Sequence, residues 1–266
     1  MAFKIIVCAK QVPDTNVIKI NPKTGTLIRD GVPSILNHDD NNALEEALKI
    51  KDKYDDVTVT VISMGPPQAG GMLKELFGRG VDECILVTDR KFGGADTCAT
   101  SITLAAAIEK CGGYDLIIAG RQAIDGDTAQ VGPQTAERLD LPQVTYVDKI
   151  IELTDEKITV RKSLEDVEEI IEVKLPCVLT TLSGMNEPRY MNCNDIVDSF
   201  SKSIVTYTFD DLGIPEEKVG LKGSPTSVYR TFTKDVTAAT EKYDLPADEA
   251  AKLIAKTLKD KQIITK

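Results

Sequence analysis

The residues best placed for ligand chemistry lie in one stretch, Gly120 to Gln134, which reads GRQAIDGDTAQVGPQ. It joins a strand-end glycine, an Asp-Gly turn, and Asp127 or Thr128, residue types suited to cap a helix. Backbone N–H groups at a helix start, reinforced by the positive end of the helix dipole, hold a phosphate or pyrophosphate without any lysine. The same turn and cap also build an ordinary strand-to-helix loop, so spacing alone leaves both readings open. Two aspartates oppose a phosphate unless they point outward or bond amides, so binding there rests on backbone donors, Thr128, Gln130 and Arg121. A second stretch, Phe92 to Thr100 (FGGADTCAT), would let backbone approach a planar cofactor, or would simply turn the chain before a helix cap.

Other chemistries are excluded by what the chain lacks. There is no GxGxxG after the first strand, no GxxxxGK[ST], no GxSxG and no HExxH. With a single histidine, His38, neither a His-based triad nor a multi-histidine metal site can be assembled. The six cysteines form no CxxC pair and read as reduced thiols of a cytosol. Cys98 and Cys193 fall near proposed sites, and packing is reason enough for both.

Hydrophobic period supplies the elements that must position these residues. Lys4 to Ala9 is a short apolar run suited to a buried strand, and Asn42 to Tyr54 carries apolar residues at helical spacing. The order then repeats, with Val57 to Met64 and Gln68 to Phe77, Glu83 to Thr88 and Thr97 to Lys110, and Asp115 to Ala119 and Thr128 to Leu139. Alternation of this kind predicts an α/β fold around a doubly wound, mostly parallel sheet. Ligands then sit outside the carboxyl ends of the strands, at Cys8 to Thr15, Met64 to Gln68, Phe92 to Thr100 and Gly120 to Gln134. Beyond Gln143 the pattern becomes strand-like at Lys149 to Thr154, Lys157 to Lys162, Glu169 to Val173 and Cys177 to Thr181, read together as antiparallel additions to one edge.

From Ser183 to Ser203 periodicity fades, predicting a projecting loop. Leu221 to Lys234 reads as extended. Pro246 to Lys259 reads as a helix with Ala247, Ala250, Ala251, Ile254 and Leu258 on one stripe, an arm that needs another surface. The expected divisions are therefore 1–182, 183–203 and 204–266.

The chain has 266 residues, 42% hydrophobic and 28% charged, which suits a globular protein with a real core. A net charge of −10 leaves no overall positive field for nucleic acid or an anionic membrane. The N-terminal apolar run closes at Lys10, too short for a signal segment or a membrane span. Together these predict a cytoplasmic protein without membrane insertion.

Across Phe3 to about Lys234 the sequence resembles the beta subunit of electron transfer flavoproteins. The matching pieces are CAKQVPDT, LEEALKIK, SMGPPQ, AGRQAIDGDTAQVGPQ, NEPRYM and the signature around VRKSLED and VKLPCVLT, with Val167 a departure within that signature. The resemblance implies an adenine nucleotide alpha hydrolase-like, Rossmann-like fold and an obligate alpha subunit with its own FAD, against which the C-terminal arm packs. Carried over by position, it implies nucleotide contacts at Ala9, Asn37, His38, Asp39, Asp40 and Met64. They continue along Gly120, Arg121, Gln122, Ala123, Ile124, Asp125, Gly126, Asp127, Thr128, Ala129, Gln130, Val131, Gly132, Pro133 and Gln134. Lys10, Arg121 and Thr97 are placed nearer the flavin ring from their loop positions.

Asn186, Glu187, Pro188, Arg189, Tyr190, Met191, Asn192 and Cys193 match the recognition loop for acyl-CoA dehydrogenases, with Cys193 standing where the mitochondrial type has a leucine. DGDTAQVGPQ, RKFGGADT, NEPRYM and GLKGSPT look most like the electron-bifurcating branch, and Gly126, Thr128 and Pro133 depart from the AMP-binding branch. The bifurcating likeness implies FAD in this subunit and NADH as hydride donor. One electron would go to ferredoxin or flavodoxin. The other would pass through the alpha-subunit FAD to an acyl-CoA dehydrogenase, such as butyryl-CoA dehydrogenase. The alternative is an AMP-binding carrier that shuttles electrons from dehydrogenases to a quinone reductase. A stress-protein-like nucleotide sensor and an ATP-using ligase fit less well, the first because of NEPRYM and the arm, the second for want of a basic or glycine-rich phosphate loop.

Overall fold

The computed structural model describes residues 3–14, 19–20, 27–28, 33–227, 229 and 241–264. The chain divides into two compact units, Met1–Arg230 and Thr231–Lys266.

The first unit opens with β1 (Phe3–Cys8), whose Ile5, Ile6 and Val7 are all buried because both sheet faces are covered. A small antiparallel pair follows, β2 (Gln11–Pro13) with β5 (Ser34–Leu36), and between them β3 (Lys19–Ile20) pairs with β4 (Leu27–Ile28). Next come α1 (His38–Lys53), β6 (Val57–Met64), α2 (Ala69–Phe77), β7 (Glu83–Val87), α3 (Thr97–Lys110), β8 (Leu116–Gly120) and α4 (Val131–Arg138). The edge comprises β9 (Gln143–Leu153), β10 (Lys157–Ser163), β11 (Glu168–Lys174) and β12 (Cys177–Thr181), and then α5 (Cys193–Ser199), β13 (Val205–Tyr207) and α6 (Phe209–Leu212).

One sheet runs β11-β10-β9-β12-β8-β1-β6-β7-β13. From β1 the chain steps outward to β6 and β7, then crosses back to lay β8 on the other side of β1, parallel to it with Val7 opposite Ile118. The strand order therefore reverses between β1 and β8, and a crevice opens at their carboxyl ends. On one face Ile5, Val7, Val59, Val61 and Ile118 pack against Leu44 and Leu48 of α1 and Leu73 and Phe77 of α2. On the other, Ile6, Ile62, Ile85, Ile117 and Val178 pack against Leu104 and Ile108 of α3 and Ala136 of α4.

Several expectations are corrected. β12 is not an antiparallel edge strand: it runs parallel between β8 and β9 with every residue buried, which its uninterrupted CVLTT run permits. Only β9, β10 and β11 form the antiparallel edge. α1 begins four residues before Asn42, and α4 begins at Val131 rather than Thr128. Asp127 (φ 56) and Ala129 (φ 52) are left-handed there, which keeps that stretch out of the helix. Residues 205–207 join the sheet as β13 beside β7 and so belong to the first unit. Much of the extended segment expected over Leu221 to Lys234 lies outside the described residues, and 221–223 form turns. In the second unit, α7 (Ala247–Asp260) starts directly after Pro246, as the sequence implies. Among the described residues no helix is long and apolar enough to cross a membrane.

Candidate functional site

The crevice floor is organised by a buried carboxylate. Asp40, in the first turn of α1, accepts the Lys10 amide at 2.8 Å and the Gly120 amide at 3.0 Å, and so ties the ends of β1 and β8 together. Burial pushes its carboxyl up to about 7, against the pull of those amides. α1 packs so closely here that Gly120 has no room for a side chain. A Cβ would meet Asp40 Oδ1 and come within 2.6 Å of the Asp39 carbonyl carbon. Asn37 braces the neighbouring loop, its Nδ2 donating to the Gln122 carbonyl (2.8 Å) and its Oδ1 accepting the Ile124 amide (3.1 Å).

The next wall is the loop into α4. Lys10 pairs with Asp125 at 2.6 Å, and Gln122 donates to Asp127, so both aspartates are engaged by protein groups. The helix-start amides expected at Asp127 and Thr128 are instead those of Val131 and Gly132, because Pro133 has no N–H and Gln134 N already bonds Gln130 O. Gly132 packs on β12, where a Cβ would sit 2.6 Å from Thr180 Cγ2. Gly126 differs, since nothing lies within 4 Å of the position its Cβ would take. Protein packing does not require glycine there, and the open space faces the cavity.

The third wall is the 88–97 loop with a distant strap. Asp96 caps α3 by accepting Ala99 N (3.0 Å), while its other oxygen accepts Thr226 N (3.0 Å) and Thr226 Oγ1 (2.8 Å). Asp96 N in turn donates to Ser224 Oγ at 2.8 Å. The walls enclose a cavity of about 1060 Å3, whose deeper lining includes Leu104, Ile117 and Val178. Thr135 also lines it, and its buried Oγ1 has no hydrogen-bond partner. Burial pushes the Cys8 thiol up to about 12, so it stays neutral and unreactive.

Ala9, Lys10, Asp40, Met64, Thr97, Gly120, Arg121, Gln122, Ala123 and every residue from Gly126 to Gly132 line this one cavity. The remaining candidates do not. His38 is exposed at the start of α1, Asp39 lies behind the wall, and Asn37, Ile124 and Asp125 serve as braces. Pro133 stands outside the lining, and Gln134 bonds Ser101 and Thr97 across the α3–α4 seam. Asp39 Oδ2 and Arg121 Nε stand 3.7 Å apart, an ion pair in which both atoms are buried without a hydrogen bond. Burial raises the Asp39 carboxyl and the Arg121 charge opposes that rise. Spacing gave no sign of Thr135 or Thr226. The first lies a turn beyond the loop, and the second reaches the rim from 130 residues away in sequence. Among the described residues no group of His, Cys, Asp and Glu could hold a metal.

The segment read as a projecting loop is tied back onto α1 and α2. Arg189 forms a bidentate pair with Glu45, Asn186 bonds Asn42 and Glu46, and Asn192 N donates to Gly78 O. Asn192 caps α5, of which Cys193 is the exposed first residue. Tyr190 between them is 95% exposed.

The electron transfer flavoprotein domain matches residues 24–212. The chain belongs to the electron transfer flavoprotein family. It is 53% identical over 262 residues to the electron transfer flavoprotein subunit beta of Clostridium acetobutylicum, covering 98% of this chain and 100% of that one. It is 52% identical over 263 residues to the caffeyl-CoA reductase-Etf complex subunit CarD of Acetobacterium woodii, with 98% and 100% covered. It is 46% identical over 239 residues to the acryloyl-CoA reductase electron transfer subunit gamma of Anaerotignum propionicum, with 87% and 88% covered. This beta subunit thus belongs to electron transfer in a family associated with flavin and AMP, alongside an alpha subunit and dehydrogenase or reductase complexes.

Proposed function

We propose that this beta subunit holds FAD in the strand-end cavity and serves an electron-bifurcating flavoprotein. NADH is the hydride donor. One electron goes to ferredoxin or flavodoxin and the other, through the alpha-subunit FAD, to an acyl-CoA dehydrogenase such as butyryl-CoA dehydrogenase. The observation that carries this reading is the cavity itself. At about 1060 Å3 it stands just above the usual range of roughly 300–1,000 Å3 for small-molecule sites. Its lining also draws on four strand ends, with Lys10, Met64, Thr97 and the Gly126–Gly132 stretch all facing it, and room on that scale favours a dinucleotide over AMP.

The residues present fit such a group. Val131 and Gly132 offer amides at a helix start, Gly126 leaves open space, and Thr135 Oγ1 waits without a partner. When bound, FAD supplies the hydride and single-electron chemistry that no side chain here can perform. The chain's own residues bind and orient. The Val131 and Gly132 amides would take the diphosphate, Leu104, Ile117 and Val178 would cover the deep end, and Lys10 and Arg121, each facing an aspartate, would border the bound group. Relatives named for caffeyl-CoA and acryloyl-CoA reduction support an acyl-CoA partner class.

Residues 186–193 are the dehydrogenase-docking segment, the C-terminal arm packs on the alpha subunit, and the complex works in the cytoplasm. The test is anaerobic turnover of the complete heterodimer. NADH oxidation that requires ferredoxin and the dehydrogenase with its enoyl-CoA together supports the proposal. Indifference to NADH points to the AMP-binding carrier.

A further inference from the structure

α1 runs from the cavity floor to the docking segment, and its middle turns carry acids that hydrophobic period does not explain. Glu45 is 6% exposed, yet it is an ionisable residue on a helix surface. Its carboxylate accepts four hydrogen bonds, all from Arg189: the backbone N at 2.9 Å, Nε at 3.1 and 3.0 Å, and Nη2 at 3.0 Å. Arg189 Nη2 also reaches Asp52 at 2.7 Å, and the two acids hold the guanidinium protonated well above its ordinary range. Exposed ion pairs contribute little, whereas a bidentate pair on a buried carboxylate is rigid, and removing either partner strands a desolvated charge.

The contacts on either side reinforce this anchor. Asn186 exchanges hydrogen bonds with Asn42, and Met191 packs at Gly78, where a Cβ would sit 3.0 Å from its sulfur. Arg189 therefore faces inward, while Tyr190 stands 95% exposed and Met191, Val197 and Phe200 are exposed too, among the polar Glu187, Asn194 and Asp198. An arginine in a docking segment would ordinarily be read as a partner contact. Here every assigned hydrogen bond of its side chain goes to α1.

We propose that Glu45 is the positioning residue of the docking segment: by gripping Arg189 from α1 it fixes the backbone on which Tyr190 is presented to an apolar patch of the partner dehydrogenase. This rests on the reading of residues 186–193 as the docking segment, and the experiment separates the two.

In the complete heterodimer, Glu45→Ala, Arg189→Lys and Tyr190→Ala are compared by hydrogen–deuterium exchange over residues 186–192 and by turnover against the dehydrogenase. Glu45→Ala should raise amide exchange in that segment at least tenfold while the centre of α1 stays protected. It should also raise KM for the dehydrogenase about tenfold, with kcat and nucleotide content unchanged. Arg189→Lys, which loses the planar fork but keeps the charge, should fall between, and it serves as the test if Glu45→Ala does not fold. Tyr190→Ala should raise KM without changing exchange. Unchanged exchange in Glu45→Ala and Arg189→Lys overturns the positioning role whatever KM does. Raised exchange with KM unmoved in all three variants overturns the docking reading instead.

Discussion

The strand-end cavity and the 186–193 segment solve the problem of holding a loop in place with different materials. Around the cavity the decisive contacts are made by backbone: amides of Lys10 and Gly120 on Asp40, of Ile124 on Asn37, of Thr226 on Asp96. Glycines stand where helix and strand meet most closely. In the 186–193 segment the contacts run largely through side chains, Arg189 and Asn186 against the acids and amides of α1. Backbone construction resists change because a substitution must move a strand. Side-chain construction can be loosened one pair at a time, leaving the fold in place, as the proposed docking role requires.

The sharpest way to break this comparison is at Gly120. Gly120→Ala forces a Cβ into α1 backbone, and we expect a loss on the order of 3 kcal/mol in unfolding free energy together with loss of bound nucleotide. A loss below about 0.5 kcal/mol would show the floor to be soft. Gly126→Trp should have the complementary result. Its side chain enters open space, so thermal stability should hold while nucleotide content of this subunit falls severalfold or more. Retained nucleotide would move the ligand away from that wall.

Asp40 gives a pH signature. Its folded pKa of about 7 exceeds the unfolded value near 4, so the folded state favours the protonated form. Its contribution to stability is full below about pH 4 and is lost as pH rises through about 7. Asp40→Asn should flatten that decline in denaturant titrations at several pH values, and it should weaken nucleotide binding roughly tenfold because an amide can accept only one of the two strand-end N–H groups well. A decline of equal slope in the variant would assign it to other groups. The smallest expected effect is at the rim. Thr226→Val removes one hydroxyl bond to Asp96, worth about 1 kcal/mol, and should speed nucleotide release by roughly fivefold in a stopped-flow chase.

Much of this architecture was legible in the sequence because hydrophobic period reports burial directly. Period marks the buried runs of β1, β6 and β8 and the alanine-rich α3, and all four segments that the strand-end rule selects contribute to the cavity lining. What escaped notice was polar burial. Asp39, Asp40, Glu45 and Glu46 sit on the covered side of α1, and a period count treats acids as solvent-facing. The start of α4 is not legible because Asp127 and Thr128 have the chemistry of a cap, while Asp127 and Ala129 are left-handed and postpone the helix. The place of β12 inside the sheet is not legible, because strand propensity carries no information on neighbours. Thr226 was invisible because its link to Asp96 is a tertiary contact without local signal.

The ligand content of the cavity is the most direct measurement. The complete heterodimer, purified without added nucleotide, denatured and analysed by chromatography, should release two FAD and no AMP, and Gly126→Trp should release one FAD. One FAD with one AMP from the unaltered complex would contradict the dinucleotide assignment and leave this subunit a carrier with a structural mononucleotide.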